Sequence, residues 1–260
     1  MPQNPTSIDT KNTFFWDELC GSGFAKSLGI TDHSPISLKK YDDAYFEFYP
    51  YLKKYFLQLD LEGKSICEIG LGYGTASSFL AQRAGTYYGV DIAQGPVNMA
   101  NYRLSIMDKP QNAQQGTAHK LPFEDGSLDN IVSIGCFHHT GSIEKCVNEA
   151  FRCLRKGGTL LFMCYNRKSF RMLKTSPRIF FSNTDPYALA EDGAALYDTN
   201  ENNEAAPYTE LSSREYLEKI CTKFSHAEVF CENWEGAGRR WFLKNMAQIL
   251  GLDLYVIARK

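Results

Sequence analysis

The chain has 260 residues, 43% hydrophobic and 22% charged, which supports a sizeable buried core and excludes a disordered polymer. Its 28 Lys plus Arg against 30 Asp plus Glu leave a net charge of −2, without the basic excess of a nucleic-acid-binding domain. No apolar run approaches the roughly 18 residues of a membrane span, so neither a nucleic acid nor a membrane is an expected partner.

The opening MPQNPTSIDTKNT is polar and has neither the basic start nor the apolar stretch of a secretory signal. Eight cysteines (Cys20, Cys67, Cys136, Cys146, Cys153, Cys164, Cys221, Cys231) show no CxxC and no paired spacing. They read as small buried hydrophobes in a reducing cytoplasmic setting, with no metal site and no disulfide framework expected. There is no internal repeat. In SLKKYDDAYFEFYPYLKKYF, Tyr41, Tyr45, Phe48, Tyr49, Leu52 and Phe56 fall at helical spacing, and Pro50 should divide the helix. Core packing accounts for this stripe; the sharper alternative is that one or two tyrosines cap a ligand cleft. Residues 1–60 are accordingly read as an N-terminal helical cap.

From Lys64 to Tyr165 strand-like and helix-like stretches alternate. KSICEI, TYYGV, residues 114–118, LDNIVSIG and TLLFMCY read as strands. TASSFLAQRA, QGPVNMANYRL (with Pro96 in its first turn) and IEKCVNEAFRCLR read as helices, the last stopped by KGG. Alternation of this kind requires crossovers, hence a doubly wound, mostly parallel sheet with helices on both faces. Residues 166–210 lack a period and divide into a basic half (Arg167, Lys168, Arg171, Lys174, Arg178) and an acidic half (Asp185, Glu191, Asp192, Asp198, Glu201, Glu204). They are read as a substrate-side insertion within a single domain spanning 1–260. SSREYLEKIC then gives a Ser-capped helix, and AEVFCEN and LDLYVIA two final strands.

The chemistry concentrates at Glu68-Ile69-Gly70-Leu71-Gly72-Tyr73-Gly74-Thr75, between a strand and a helix. Glycines there permit a tight turn and close approach of a ligand to the main chain. Asp91 ends the next strand, 21 positions after Gly70, where an acid can accept both hydroxyls of a ribose. The dinucleotide fingerprint Gly-x-Gly-x-x-Gly fits in neither register, because Thr75 or Ser77 stands where its last glycine belongs. A ligand with an adenosine but no pyrophosphate is implied, which points to S-adenosylmethionine.

EIGLGYGT, GVDI, GTAHKLPFEDGSLDNIVSIGCFHHT and FRCLRKGGTLLFMCYN together resemble Rossmann-fold (class I) S-adenosylmethionine-dependent methyltransferases, most of all the ubiquinone and menaquinone biosynthesis branch. The resemblance covers roughly residues 60–166, and the ending GLDLYVIARK is similar too. It implies a seven-stranded sheet with the last strand antiparallel. It also implies that Gly70, Gly72 and Gly74 face the methionine portion, supported by Glu68, while Asp91 holds the ribose and Ile92 packs on adenine. Ala118 and His119 would flank the adenine, and Ile134, Gly135 and Cys136 would line the floor under the sulfonium. Thr117 stands where many relatives carry an acid, and Lys156 replaces a common proline.

A sulfonium is already activated, so the protein must mainly align a nucleophile and exclude water. His138 and His139 follow the fourth strand and are the candidate general bases, against a packing role. The basic run Arg167–Arg178, and Arg239 and Arg240 beside Trp234 and Trp241, offer anion contacts, against the alternative of a solvated face. The reading is a cytoplasmic enzyme methylating a small molecule, with an anionic group on that molecule as an option. The alternatives are a non-catalytic S-adenosylmethionine-binding regulator and another adenosine-ligand enzyme, such as an aminopropyltransferase or a nicotinamide oxidoreductase.

Overall fold

A computed structural model describes residues 5–18, 21–200, 202–234 and 244–260. The N-terminal segment is helical: α1 (Pro5–Phe15), α2 (Ser22–Ser27), α3 (Pro35–Phe48) and α4 (Leu52–Phe56). α3 begins where Ser34 accepts a hydrogen bond from the Ser37 amide and Pro35 takes the first helical position, which needs no donor. The aromatic stripe breaks at Tyr49–Tyr51, around Pro50, as its missing amide demands.

Then come β1 (Ser65–Ile69), α5 (Thr75–Ala81), β2 (Thr86–Asp91), α6 (Gln94–Ser105), β3 (Ala113–Gln115) and β4 (Leu128–Ile134). A short 3-10 turn, Phe137–His139, leads to α7 (Ile143–Cys153) and β5 (Leu154–Tyr165). α7 is capped by Ser142, whose hydroxyl accepts from the Lys145 amide, and it buries Ile143, Val147 and Ala150. The helix was expected to run to KGG but ends at Cys153. Leu154 is already extended and pairs with Leu128, while the Lys260 ammonium takes up the carbonyls of Phe151 and Leu154 at 2.6 and 2.7 Å. The excursion holds α8 (Phe170–Thr175), α9 (Pro177–Phe180), β6 (Tyr187–Ala188), α10 (Glu191–Ala194) and β7 (Glu210–Leu211), and β6 pairs antiparallel with β7. α11 (Arg214–Ile220), β8 (His226–Glu232), α12 (Lys244–Leu250) and β9 (Asp253–Arg259) complete the chain.

Seven strands form one sheet in the order β3-β2-β1-β4-β5-β9-β8, with β9 antiparallel to both neighbours. Both faces are covered, so strand residues alternate between two cores rather than between core and water. Along β5, Leu160, Phe162 and Cys164 join Val147, Ala150 and Leu217 on one side, while Leu161 and Met163 join Leu52, Tyr55 and Leu80 on the other. Strand order reverses between β1 and β4, which opens a crevice at their C-terminal ends. No helix among the described residues is long and apolar enough to cross a membrane, and no two described cysteines share a disulfide.

Within the basic run Lys174 and Arg178 are exposed, as a solvated face requires, but its first member is not. Arg167 is 4% exposed, and its guanidinium donates to the carbonyls of Ile179, Phe180 and Ser182 and to Asp185. Arg171 donates to the Leu196 carbonyl and lies 4.7 Å over the Tyr197 ring, and Lys168 pairs with Glu215. Arg167 and Arg171 thus fold the excursion onto itself, because carbonyls at a helix end need donors that a short irregular segment lacks. Asp185 serves twice, since its other oxygen accepts the Ser213 amide at 3.0 Å. Asp185→Ala should therefore cost about 2–4 kcal/mol, the scale for stranding a buried guanidinium. Urea unfolding checks this, and a loss below about 0.5 kcal/mol would contradict the assignment.

Candidate functional site

A cavity of ≈ 360 Å³ lies over the C-terminal ends of the parallel strands. Its base is the turn after β1, where Gly70, Gly72 and Gly74 have φ of 81°, 49° and 77°, the left-handed region that favours glycine. Gly70 is required twice over, because a Cβ there would meet the Cys136 Cβ at 2.5 Å. The Asp91 carboxylate fixes the turn, accepting the Leu71 amide at 2.7 Å and the Ala93 amide at 2.9 Å. Burial raises the Asp91 carboxyl to about 6, against the pull of these amides. Asp91 itself lines the cavity. Glu68 lies beneath the turn, takes the Tyr87 hydroxyl at 2.5 Å and is pushed up to about 7 by burial.

The turn is also held from behind. Asp42 of α3 accepts the Thr75 hydroxyl at 2.6 Å and the buried Arg103 guanidinium at 3.0 Å, and Tyr41 stacks on Tyr73 at 4.1 Å. The aromatic stripe is divided in use: Leu52 and Phe56 are core, whereas Tyr41, Tyr45, Phe48 and Tyr49 line the cavity.

Of the residues singled out from sequence, Glu68, Gly70, Gly72, Gly74, Asp91, Ile92, Ala118, Ile134, Gly135 and Cys136 all line this one cavity. His119 does not; it is half-buried beside Asp9. The two candidate bases part company at the 3-10 turn. His138 is wholly buried and outside the lining, with its ring 4.2 Å from those of His139 and Tyr165, and burial holds it well below the usual imidazole range. A base with no path to the cavity cannot take a proton there, so His138 is corrected to a packing residue. His139 lines the wall, with Nδ1 2.7 Å from the Tyr208 carbonyl and Nε2 3.4 Å from Asp198. Arg239, Arg240 and Trp241 lie outside the described residues, and Trp234 packs on Phe170 at 4.9 Å.

Sequence reasoning did not single out Trp16, Asp198 or Tyr165 as site residues. Trp16 stacks 4.8 Å from His139, and the Tyr165 hydroxyl donates to Asp198 at 3.2 Å. The acidic half of the excursion contained Asp198, but nothing in its spacing set it apart. Among the described residues one group has metal-ligand proximity: His138, His139 and Asp198 bring ligand atoms within 4.8 Å of one another.

Residues 67–162 match the family model described as a methyltransferase domain. The chain is 34% identical over 107 residues to a fatty-acid O-methyltransferase of Mycolicibacterium smegmatis, covering 40% of this chain and 38% of that one. The chain thus spans well under half the length of that curated relative. Among solved structures, geranyl diphosphate C-methyltransferase from Streptomyces coelicolor, complexed with Mg²⁺, geranyl diphosphate and S-adenosyl-L-homocysteine, superposes with a TM-score of 0.57 at 13% identity, covering 99% of this chain and 98% of that one. A possible histamine N-methyltransferase from Thermotoga maritima superposes with a TM-score of 0.52 at 20% identity, covering 84% and 94%. These likenesses show the fold, a class I methyltransferase sheet.

The glycine turn after β1 yields a direct test. Gly70→Ala forces both a left-handed residue and a collision with Cys136, and should lower stability by about 2–4 kcal/mol in urea unfolding. A neutral outcome would mean that the turn does not have this shape.

Proposed function

We propose that the protein is an S-adenosylmethionine-dependent methyltransferase that methylates a small molecule. The observation that carries this is Asp91, a desolvated carboxylate held by two backbone amides on the rim of a glycine-walled cavity. Its remaining lone pairs suit the two hydroxyls of a ribose, Ile92 and Ala118 offer apolar walls for an adenine, and Gly70 and Gly72 leave main chain bare for the amino-acid end. When bound, the cofactor supplies a methyl carbon already activated by its sulfonium. The protein's work is then to align the acceptor and keep water out, and the ring-lined upper half of the cavity, from Phe24 and Tyr45 to Tyr165, fits that work. Residues 1–60 and 166–210 complete a single domain as cap and acceptor-side insertion, supplying Trp16 and Asp198 to the wall. His139, the histidine on the cavity wall, is the base where the acceptor arrives protonated. The cytoplasm is its proposed location, in keeping with a chain whose described cysteines form no disulfide.

Calorimetric titration with S-adenosylhomocysteine, with NAD as control, tests the reading; binding of NAD alone or of neither ligand would overturn it. Asp91→Ala should weaken S-adenosylhomocysteine binding by about 1.5–3 kcal/mol, the scale for hydrogen bonds to a charged group. Unchanged affinity would remove Asp91 from the ribose site. The pH profile follows from the raised carboxyl. Ribose hydroxyls donate best to the ionised form, so binding favours proton loss, and affinity should climb as pH rises through about 6 and level off above it. Between pH 5 and 7.5 the gain should be about tenfold, with proton release on binding, and Asp91→Asn should flatten it. Glu68, raised to about 7 beneath the same turn, is controlled by Glu68→Gln, which should leave the rise near pH 6 in place.

A further inference from the structure

With a neutral ring, His139 and Asp198 pose a donor–acceptor problem that no neighbouring side chain solves. The Tyr208 carbonyl 2.7 Å from Nδ1 can only accept, so in the neutral ring Nδ1 carries the proton and Nε2 presents a lone pair. Asp198 Oδ2, 3.4 Å from Nε2, is buried and receives no hydrogen bond, while Tyr165 donates to the other oxygen. While the ring is neutral, two acceptors therefore stand side by side between two residues that line the cavity; a proton taken up at Nε2 would instead make them an ion pair. A buried carboxylate oxygen without a donor is costly, and 3.4 Å is too long for a good hydrogen bond.

We propose that the methyl acceptor is an amine whose nitrogen binds between His139 Nε2 and Asp198 Oδ2. This rests on the methyltransferase reading above. An ammonium offers a proton to each acceptor, a hydroxyl only one, and a carboxylate none while meeting repulsion from Asp198. The wall favours a cation more broadly. Among the described lining residues are four carboxylates (Asp9, Glu68, Asp91, Asp198) and no Lys or Arg, and Trp16, Tyr49 and Tyr165 bring aromatic rings to the same cavity. The step balances. The ammonium gives one proton to His139 Nε2, and the resulting imidazolium pairs with Asp198. The neutral amine turns about its C–N bond, keeps one N–H on Asp198 and directs its lone pair at the methyl carbon. The N–C bond forms as the C–S bond breaks, the electron pair returns to sulfur, and the product is a methylammonium; His139 then passes its proton to water.

A matched series of 2-phenylethylamine, 2-phenylethanol and phenylacetate, titrated into protein saturated with S-adenosylhomocysteine, reads the preference. The amine should bind at least tenfold more tightly than the alcohol, and the acid should not bind. Asp198→Asn should reduce the preference at least tenfold, and His139→Asn should lower kcat for the labelled amine more than its KM. Binding of S-adenosylhomocysteine by each variant controls for folding. Equal or reversed affinities, or binding of none of the three while S-adenosylhomocysteine binds, overturns the amine assignment alone. Zinc-dependent acceptor binding abolished by a chelator overturns it as well, by giving the pair to a metal ion with His138. Loss of S-adenosylhomocysteine binding in the unaltered protein overturns the methyltransferase reading instead.

Discussion

A desolvated carboxylate at the end of β2 sets the geometry on which the site depends. Asp91 reaches across to the turn after β1 and holds it through the Leu71 amide, while its other oxygen holds Ala93 on its own side. The reversal of strand order beside β1 opens a crevice, and the main chain must bend over that crevice without filling it. Burying the carboxylate costs free energy, which the raised carboxyl records, and two charge-assisted hydrogen bonds offset much of it. The turn is thereby shaped before any ligand arrives, and a preorganised wall spends less of its binding free energy on ordering. The Asp42–Arg103 pair carries the same constraint outward, fastening α3 to the back of the turn, so the cap and the glycines form one unit.

The segments flanking the sheet use their side chains in opposite ways. The N-terminal cap spends aromatic rings on the cavity and receives stacking from Tyr73 in return. The excursion spends its charge inward: a guanidinium that would suit an anion in water is consumed by three carbonyls and a carboxylate. Short irregular chain has few partners for its own backbone, and an arginine with five donors satisfies several groups at once. That explains why Arg167 and Arg171, within a run that reads as a charged surface, turn out to be a scaffold.

Most strands of the sheet were legible as apolar runs between breakers, because a sheet covered on both faces writes itself as continuous hydrophobic segments; the edge strand β3 was not, for it reads AQQ with both glutamines exposed and lies at 113–115 where 114–118 was expected. The glycine turn and Asp91 were legible because they are local: a strand end, a tight turn and an acid at fixed spacing. The end of α7 was not, since KGG offered a stop signal and the actual stop depends on Lys260, more than a hundred positions away. The short α1 and α2 lacked a usable period. His138 and His139 are indistinguishable in sequence, yet a 3-10 turn sends one ring into the core and the other to the cavity. Asp198 and Trp16 had no signal at all, for their significance exists only once distant segments meet.

That meeting occurs on one imidazole. Asn12 of α1 donates to the His139 carbonyl at 2.7 Å, Trp16 covers its ring, Tyr208 receives its Nδ1 proton and Asp198 faces its Nε2. The cap, the strand-four exit and the excursion are thus joined through a residue that belongs to the sheet's crevice. The wall around Gly70 and Asp91, built on adjacent strands, needs only local pairing to form. The wall around His139 needs segments separated by well over a hundred residues to close on it together, and ordering them costs conformational entropy that the sheet alone does not repay. The two halves of the cavity therefore differ in what holds them: backbone hydrogen bonds within the sheet for one, and a few long-range side-chain contacts for the other. Variation in the flanking segments can accordingly re-shape the acceptor side while the glycine turn and Asp91 stay as they are.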